Sequence, residues 1–140
     1  MPSAESTGFD RSLAPAPRRS RPVVLVVEDE RDARDAIATM LEDAGYEVLQ
    51  AANGREALGQ LADRNGRCDL ILLDLMMPVM NGWDFRRKQA ETPAFAATPV
   101  VLMSAGAHLA VVRAELNAAG HVTKPVELSD LLDAVKRHCP

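Results

Sequence analysis

Ionisable or hydroxyl side chains stand directly after four apolar segments of this sequence. The residues at these positions are Glu28, Asp29, Asp74, Ser104 and Lys124. Asp74 interrupts a long apolar run, and a carboxylate in such a run is costly to bury unless it is paired or binds a metal. Three carboxylates that converge repel one another, and a hard divalent cation such as Mg²⁺ or Mn²⁺ relieves this repulsion. A nucleophilic carboxylate, a metal and a lysine together are the groups that phosphoryl transfer requires.

Asp74 also has a purely structural interpretation, in which it caps a strand or turn before Pro78 and the Asn81-Gly82 pair. The other acidic residues and Lys124 favour the chemical interpretation. The three histidines and two cysteines have no spacing typical of a zinc site.

Short apolar segments alternate with amphipathic ones from residue 23 onward. The pattern predicts strands over 23–27, 46–51, 69–73, 100–103 and 121–123, and helices over 31–44, 54–64, 83–91, 108–119 and 128–138. Apolar strands that alternate with helices predict an α/β fold with a parallel sheet covered on both faces. The expected architecture is a flavodoxin-like, doubly wound (βα)5 fold, a five-stranded parallel sheet of order 2-1-3-4-5. Ligands of such sheets bind beyond the carboxyl ends of the strands, where the five residues would meet.

Two further expectations concern the packing of the helices. The spacing of Leu128, Leu131, Leu132 and Val135 places these four side chains on one inward face of the last helix. Trp83, at the start of the third helix, is expected to pack in the core.

Composition restricts the classes of protein and the number of domains. The 140 residues suit one domain, with residues 1–21 as a disordered tail rich in Pro, Ser, Ala and Arg and residues 22–140 as the folded unit. Residues 1–22 carry a charge of +2 and the remainder −6, and an acidic body argues against nucleic-acid binding. The absence of a long apolar run or an apolar leader predicts a cytoplasmic protein without membrane insertion.

Four sequence segments resemble the motifs of response-regulator receiver domains, of the chemotaxis-response-regulator type, over about residues 22–138. They are Val24–Glu30, Leu72–Gly82, Leu102–Ala105 and Thr123–Pro125. The resemblance implies that Asp74 is the phosphoacceptor. It also implies that Glu28 and Asp29 hold Mg²⁺ or Mn²⁺, together with Asp74 and the backbone carbonyl of Met76.

The same resemblance assigns the remaining site residues. Ser104 would bond the phosphoryl group, Lys124 would pair with it, and the Lys124–Pro125 peptide bond would be cis. The family often has an aromatic ring at the position of His121, so this histidine is either a switch coupled to Ser104 or an ordinary solvated side chain.

The resemblance further implies a function in two-component signalling. A sensor histidine kinase or a histidine phosphotransfer protein would donate the phosphoryl group, and a downstream protein target would respond in trans, because the sequence continues only two residues past His138. The chain would be a self-dephosphorylating phosphoacceptor rather than an enzyme with a separate substrate. The alternative is a protein-interaction module that keeps this fold without cycling phosphate.

Overall fold

Strands and helices alternate along the described part of the chain, which comprises residues 21–77, 79–106 and 108–139 of a computed structural model. The strands are β1 (Val23–Val27), β2 (Glu47–Ala51), β3 (Leu70–Asp74), β4 (Val100–Ser104) and β5 (Gly120–Thr123). The helices are α1 (Arg31–Asp43), α2 (Gly54–Asp63), α3 (Gly82–Ala90), α4 (Leu109–Glu115) and α5 (Leu128–His138). The tail predicted over residues 1–21 lies outside the described residues, except for Arg21.

The five strands are all parallel and follow the order β2-β1-β3-β4-β5, which confirms the predicted 2-1-3-4-5 topology. β3 occupies the centre of the sheet, and every one of its residues is buried. This burial on both faces explains why β3 is continuously apolar up to Asp74.

Successive residues of β3 belong to two separate cores, because side chains of a strand alternate between the faces of the sheet. Ile71 and Leu73 pack in a core that includes residues of α2, α3 and α4. Leu70 and Leu72 pack in the opposite core, which includes residues of α1 and α5. The sheet is therefore covered on both faces, and functional side chains are confined to its ends.

Three helices begin at a side-chain cap. Glu30, Asn53 and Asn81 each accept a hydrogen bond from the backbone N–H three residues later, at the starts of α1, α2 and α3. These caps satisfy backbone N–H groups in the first turns of the three helices. Within the described residues, no helix combines the length and apolar character needed to cross a bilayer.

α4 is shorter than predicted, since it ends at Glu115 rather than near Ala119. Asn117 adopts a left-handed conformation with φ of 54°, which terminates the helix. The N–H of Ala119 then bonds to the carbonyl of Val100 at 2.8 Å and begins the pairing of β5 with β4.

Two side chains expected inside are exposed at the surface. Leu128 is 50% exposed because it is the first residue of α5, and only Leu131 and Val135 of the predicted stripe are fully buried. Trp83 is 36% exposed, and Phe85, two residues further along α3, fills the core instead.

Candidate functional site

The carboxyl ends of β1, β3, β4 and β5 open onto one cavity of about 590 Å³. The cavity is lined by all the residues predicted for catalysis and metal binding, namely Glu28, Asp29, Asp74, Met76, Ser104 and Lys124. The parallel order of the strands brings these residues together from distant parts of the sequence. The strand ends of this fold are also where ligands bind in open α/β sheets.

Three carboxylates form the acidic part of this site. Glu28, Asp29 and Asp74 each offer one oxygen, and these oxygens all lie within 4.8 Å of one another. Glu28 and Asp74 are buried, whereas Asp29 is exposed toward solvent. Because like charges this close repel and carboxylate oxygens are the preferred ligands of hard cations, the cluster fits Mg²⁺ or a similar divalent ion.

Asp74 is the last residue of β3 and has an unusual acidity. Burial, followed by the negative charge of Glu28, raises the pKa of Asp74 to about 6. A 3.1 Å hydrogen bond from the N–H of Met76 to Oδ1 and the charge of Lys124 oppose this rise. Keeping Asp74 ionised in the folded protein therefore costs free energy. A ligand that brings positive charge to the site would offset this cost.

Lys124 supplies the positive charge of the site. Its Nζ lies 2.6 Å from Glu28 Oε1 and 3.4 Å from Asp74 Oδ2. The shorter contact is a close ion pair with a buried carboxylate. Burial alone would lower the pKa of Lys124, but Glu28 and Asp74 outweigh this effect and raise it. The ammonium group therefore remains charged between the two carboxylates.

Ser104 and Met76 line the same cavity as Asp74. Ser104 ends β4, and its Oγ accepts a 3.2 Å hydrogen bond from the N–H of Gly106. Met76 exposes 70% of its surface, and its N–H is bound to Asp74, which orients the chain just after the strand. The hydroxyl and the turn after Asp74 thus both border the space above the carboxylate.

His121 lies outside this cavity. It pairs with Leu102 in the β4–β5 ladder and lines a separate cavity against α5, together with Asp130 and Asp133. Its Nδ1 is buried and has no hydrogen-bond partner among the described residues. The peptide bond between Lys124 and Pro125, next to the site, is cis.

The model of the response regulator receiver domain family matches residues 24–136. The chain belongs to this family. Receiver domains are signalling modules of two-component systems, and phosphorylation on an aspartate and signalling to a partner are general features of the family.

The relatives of this receiver domain are of two lengths. Protein PilG of Pseudomonas aeruginosa is 32% identical over 120 residues, which cover 84% of this chain and 87% of PilG. A probable transcriptional regulatory protein of Picosynechococcus is 39% identical over 119 residues, but the chain spans only 45% of that protein. Among solved structures, chemotaxis protein CheY4 of Vibrio cholerae superposes with a TM-score of 0.77 at 31% identity, covering 85% of this chain and 99% of CheY4.

Glu30 and Arg34 belong to the surroundings of the receiver site, although the sequence patterns did not point to them. Glu30 lines the cavity, and its N–H donates a 3.1 Å hydrogen bond to Glu28 Oε2. The Glu30 side chain also caps α1, but glutamate is not among the residues usually found at an N-cap, so this role could not be predicted from the sequence. The Arg34 guanidinium donates to the backbone carbonyl of Glu28 at 2.9 Å, a contact that no local pattern reveals.

Gly82 controls how closely α3 approaches the end of β3 in the receiver domain. A Cβ at this position would lie 2.9 Å from Leu75 Cα and 3.2 Å from the carbonyl oxygen of Asp74. We expect Gly82→Ala to lower the free energy of unfolding by about 1–3 kcal/mol, because the backbone beside the site must shift. Gly59→Ala is the control, because Gly59 is helical with open space around it and should gain about 0.5–1 kcal/mol. Urea denaturation measures both, and equal stability of the two variants would contradict the packing argument.

Proposed function

We propose that Asp74 accepts a phosphoryl group in a Mg²⁺-dependent reaction and that the domain then signals to a partner protein in trans. The donor is a sensor histidine kinase or a histidine phosphotransfer protein. The proposal rests on one observation, the buried carboxylate of Asp74 within reach of Lys124 and two further carboxylates in a single cavity. Incubation with acetyl phosphate and Mg²⁺, followed by intact-mass measurement, tests this function directly.

The transfer would use the side chains of the site in distinct roles. A carboxylate oxygen of Asp74 attacks phosphorus and forms the new O–P bond, while the N–P bond of the donor breaks and its electron pair leaves with the imidazole. Lys124 balances the negative charge of the phosphoryl oxygens. Glu28, Asp29, Asp74 and the carbonyl of Met76 would hold Mg²⁺ or Mn²⁺, which when bound would supply further charge neutralisation.

The response of the domain would begin at Ser104. Its hydroxyl bonds the new phosphoryl group, and its carbonyl already accepts a 3.0 Å hydrogen bond from the N–H of Lys124. β4 and β5 are paired up to Ser104 and Thr123, so a shift at this end of β4 passes into the strand that carries His121. We propose that the surface of α4, β5 and α5 then changes its population between two states that a partner distinguishes.

A groove beside the site suits the docking of the phosphoryl donor. It has a volume of about 340 Å³ and shares Glu28, Glu30 and Lys124 with the edge of the site. Its apolar wall consists of Ala33, Ala36, Ile37, Met40, Pro125 and Val126. A helix of the donor lying in this groove would hold its phosphohistidine close to Asp74.

Binding of Mg²⁺ should depend strongly on Asp29. Asp29→Ala removes the exposed carboxylate of the cluster, and we expect the affinity for Mg²⁺ to fall at least about tenfold in titration calorimetry. Asp32→Ala is the matched control, because Asp32 is an exposed acid in the first turn of α1 and does not line the cavity. Equal Mg²⁺ affinity of Asp29→Ala and the wild type would show that the metal ligands are assigned incorrectly.

A further inference from the structure

The loop between β1 and α1 carries two of the three carboxylates of the acidic cluster. Hydrogen bonds to both backbone groups of its first residue, Glu28, hold it in place. The N–H of Glu28 donates to the carbonyl of Ala51 at 3.0 Å, which extends the pairing of β1 and β2 by one residue. The carbonyl of Glu28 instead accepts a 2.9 Å hydrogen bond from Nη1 of Arg34. Glu28 is completely buried in the folded protein, so the guanidinium of Arg34 supplies the hydrogen bond that its buried carbonyl needs.

Arg34 also holds a second strand. Its Nε donates to the side-chain oxygen of Gln50 at 3.3 Å, and the backbone carbonyl of Gln50 accepts a 2.5 Å hydrogen bond from Gln60 of α2. One half-buried guanidinium therefore joins α1, the end of β1 and the end of β2. A planar guanidinium can direct two N–H groups at once, which a lysine ammonium cannot do with the same geometry.

The contacted carbonyl belongs to the peptide group that links Glu28 to Asp29. Fixing the plane of this peptide fixes the position of the Asp29 Cα and leaves rotation about its N–Cα bond as the remaining backbone freedom that directs the Asp29 side chain. Asp29 is the exposed member of the acidic cluster, and its carboxylate lies within hydrogen-bonding reach of Asp74. When both carboxylates are ionised they repel each other, so the backbone that Arg34 contacts is what holds Asp29 beside Asp74.

We propose that Arg34 is a positioning residue for the divalent metal, acting through the backbone between Glu28 and Asp29 rather than by touching the ion. This inference rests on the proposed function, because it takes the acidic cluster to be the metal site of the phosphoryl transfer. Loss of such a supporting contact typically lowers metal affinity by about 10–100-fold.

Simple electrostatics predicts the opposite sign for the same substitution. Arg34 carries a positive charge near three carboxylates, so its removal should strengthen the attraction of a cation if only charge mattered. Arg31 offers a matched control, since it lies on the same helix turn, is 83% exposed and pairs only with Asp35 at 3.7 Å among the described residues. Arg31→Ala removes the same charge without touching the loop.

Titration calorimetry with Mg²⁺ on the full chain separates these effects. We expect Arg34→Ala to bind Mg²⁺ about tenfold more weakly than the wild type, and Arg31→Ala to bind with unchanged or slightly higher affinity. Wild-type or tighter binding by folded Arg34→Ala would overturn the inference. If Arg34→Ala does not fold, Arg34→Lys takes its place, because one ammonium cannot hold both the Glu28 carbonyl and Gln50. Wild-type affinity of that variant would equally overturn it.

Phosphorylation at varied Mg²⁺ concentration gives a second readout that a general loss of structure would not reproduce. With acetyl phosphate, Arg34→Ala should require about tenfold more Mg²⁺ for its half-maximal rate and reach the wild-type rate at saturation. A lowered maximal rate with unchanged Mg²⁺ dependence would refute a positioning role. If the wild type binds Mg²⁺ but is not phosphorylated, the proposed function fails, whereas the calorimetric comparison still tests Arg34.

Discussion

Asp74→Asn should abolish phosphorylation of the protein. The wild type, incubated with acetyl phosphate and Mg²⁺, is expected to gain one phosphoryl group, and the variant none. The reason is that an amide has no anionic oxygen to attack phosphorus, while its shape and its ability to accept the hydrogen bond of Met76 are retained. Intact-mass measurement over time reports the modified fraction.

Asp69→Asn is the matched control for this experiment. Asp69 immediately precedes β3, at the end of the strand opposite Asp74, and its exposed carboxylate accepts a 2.8 Å hydrogen bond from the N–H of Val23. The Asp69→Asn variant should be phosphorylated as readily as the wild type. If Asp74→Asn gained the phosphoryl group as readily as Asp69→Asn, another residue would be the acceptor and the proposed function would lose its nucleophile.

Asp74→Asn should also stabilise the metal-free protein at neutral pH. The pKa of Asp74 is raised from 3.8 to about 6 in the folded state, mainly by burial. Between these values the folded chain holds a proton that the unfolded chain has released, so stability falls as the pH rises from about 4 to about 6. At about 1.36 kcal/mol for each unit of pKa, the cost at pH 7 is about 3 kcal/mol at most. This cost already includes the attraction to Lys124, so its removal in Asp74→Asn gives an expected gain of about 1–3 kcal/mol.

Urea denaturation of the wild type and Asp74→Asn, with a chelator present, measures this effect across pH. The difference should be largest at pH 7, should shrink as the pH falls from about 6 to about 4, and should vanish near pH 3, below the pKa of Asp74 in both states of the wild type. Asp69→Asn should remain within about 0.5 kcal/mol of the wild type at pH 7, as surface substitutions usually do. A less stable Asp74→Asn, or a difference independent of pH, would contradict the account of Asp74 as a strained carboxylate.

Added Mg²⁺ should narrow the stability difference between the wild type and Asp74→Asn. A ligand that binds only the folded state stabilises it by RT ln(1 + L/Kd), where L is the free ligand concentration, so tighter binding gives a larger gain. The wild type should therefore gain stability on addition of Mg²⁺, whereas Asp74→Asn, with one carboxylate fewer in the cluster, should gain less. Stability and phosphorylation thus test the same carboxylate by independent measurements.

The amino-acid sequence by itself determined the fold class and the place of the site. The continuous apolar run of β3 predicts a strand buried on both faces, and an acid at its end is conspicuous because the interior tolerates so few charges. Parallel pairing then requires the ends of β1, β3, β4 and β5 to lie on one side of the sheet. Such local patterns indicate where a charged side chain stands along the chain, and so Asp74 and Lys124 could be predicted to converge.

Only the tertiary structure decided which carboxylate pairs most closely with Lys124 and where helix α4 ends. The 2.6 Å approach of Lys124 to Glu28, rather than to Asp74, depends on the packing of strands that are far apart in the sequence. The end of α4 was also mispredicted: Asn117 adopts the left-handed conformation that ends the helix, and the pairing of β5 with β4 begins two residues later at Ala119. Arg34 was overlooked because its acceptor is a backbone carbonyl, which every residue possesses, so only three-dimensional proximity distinguishes it.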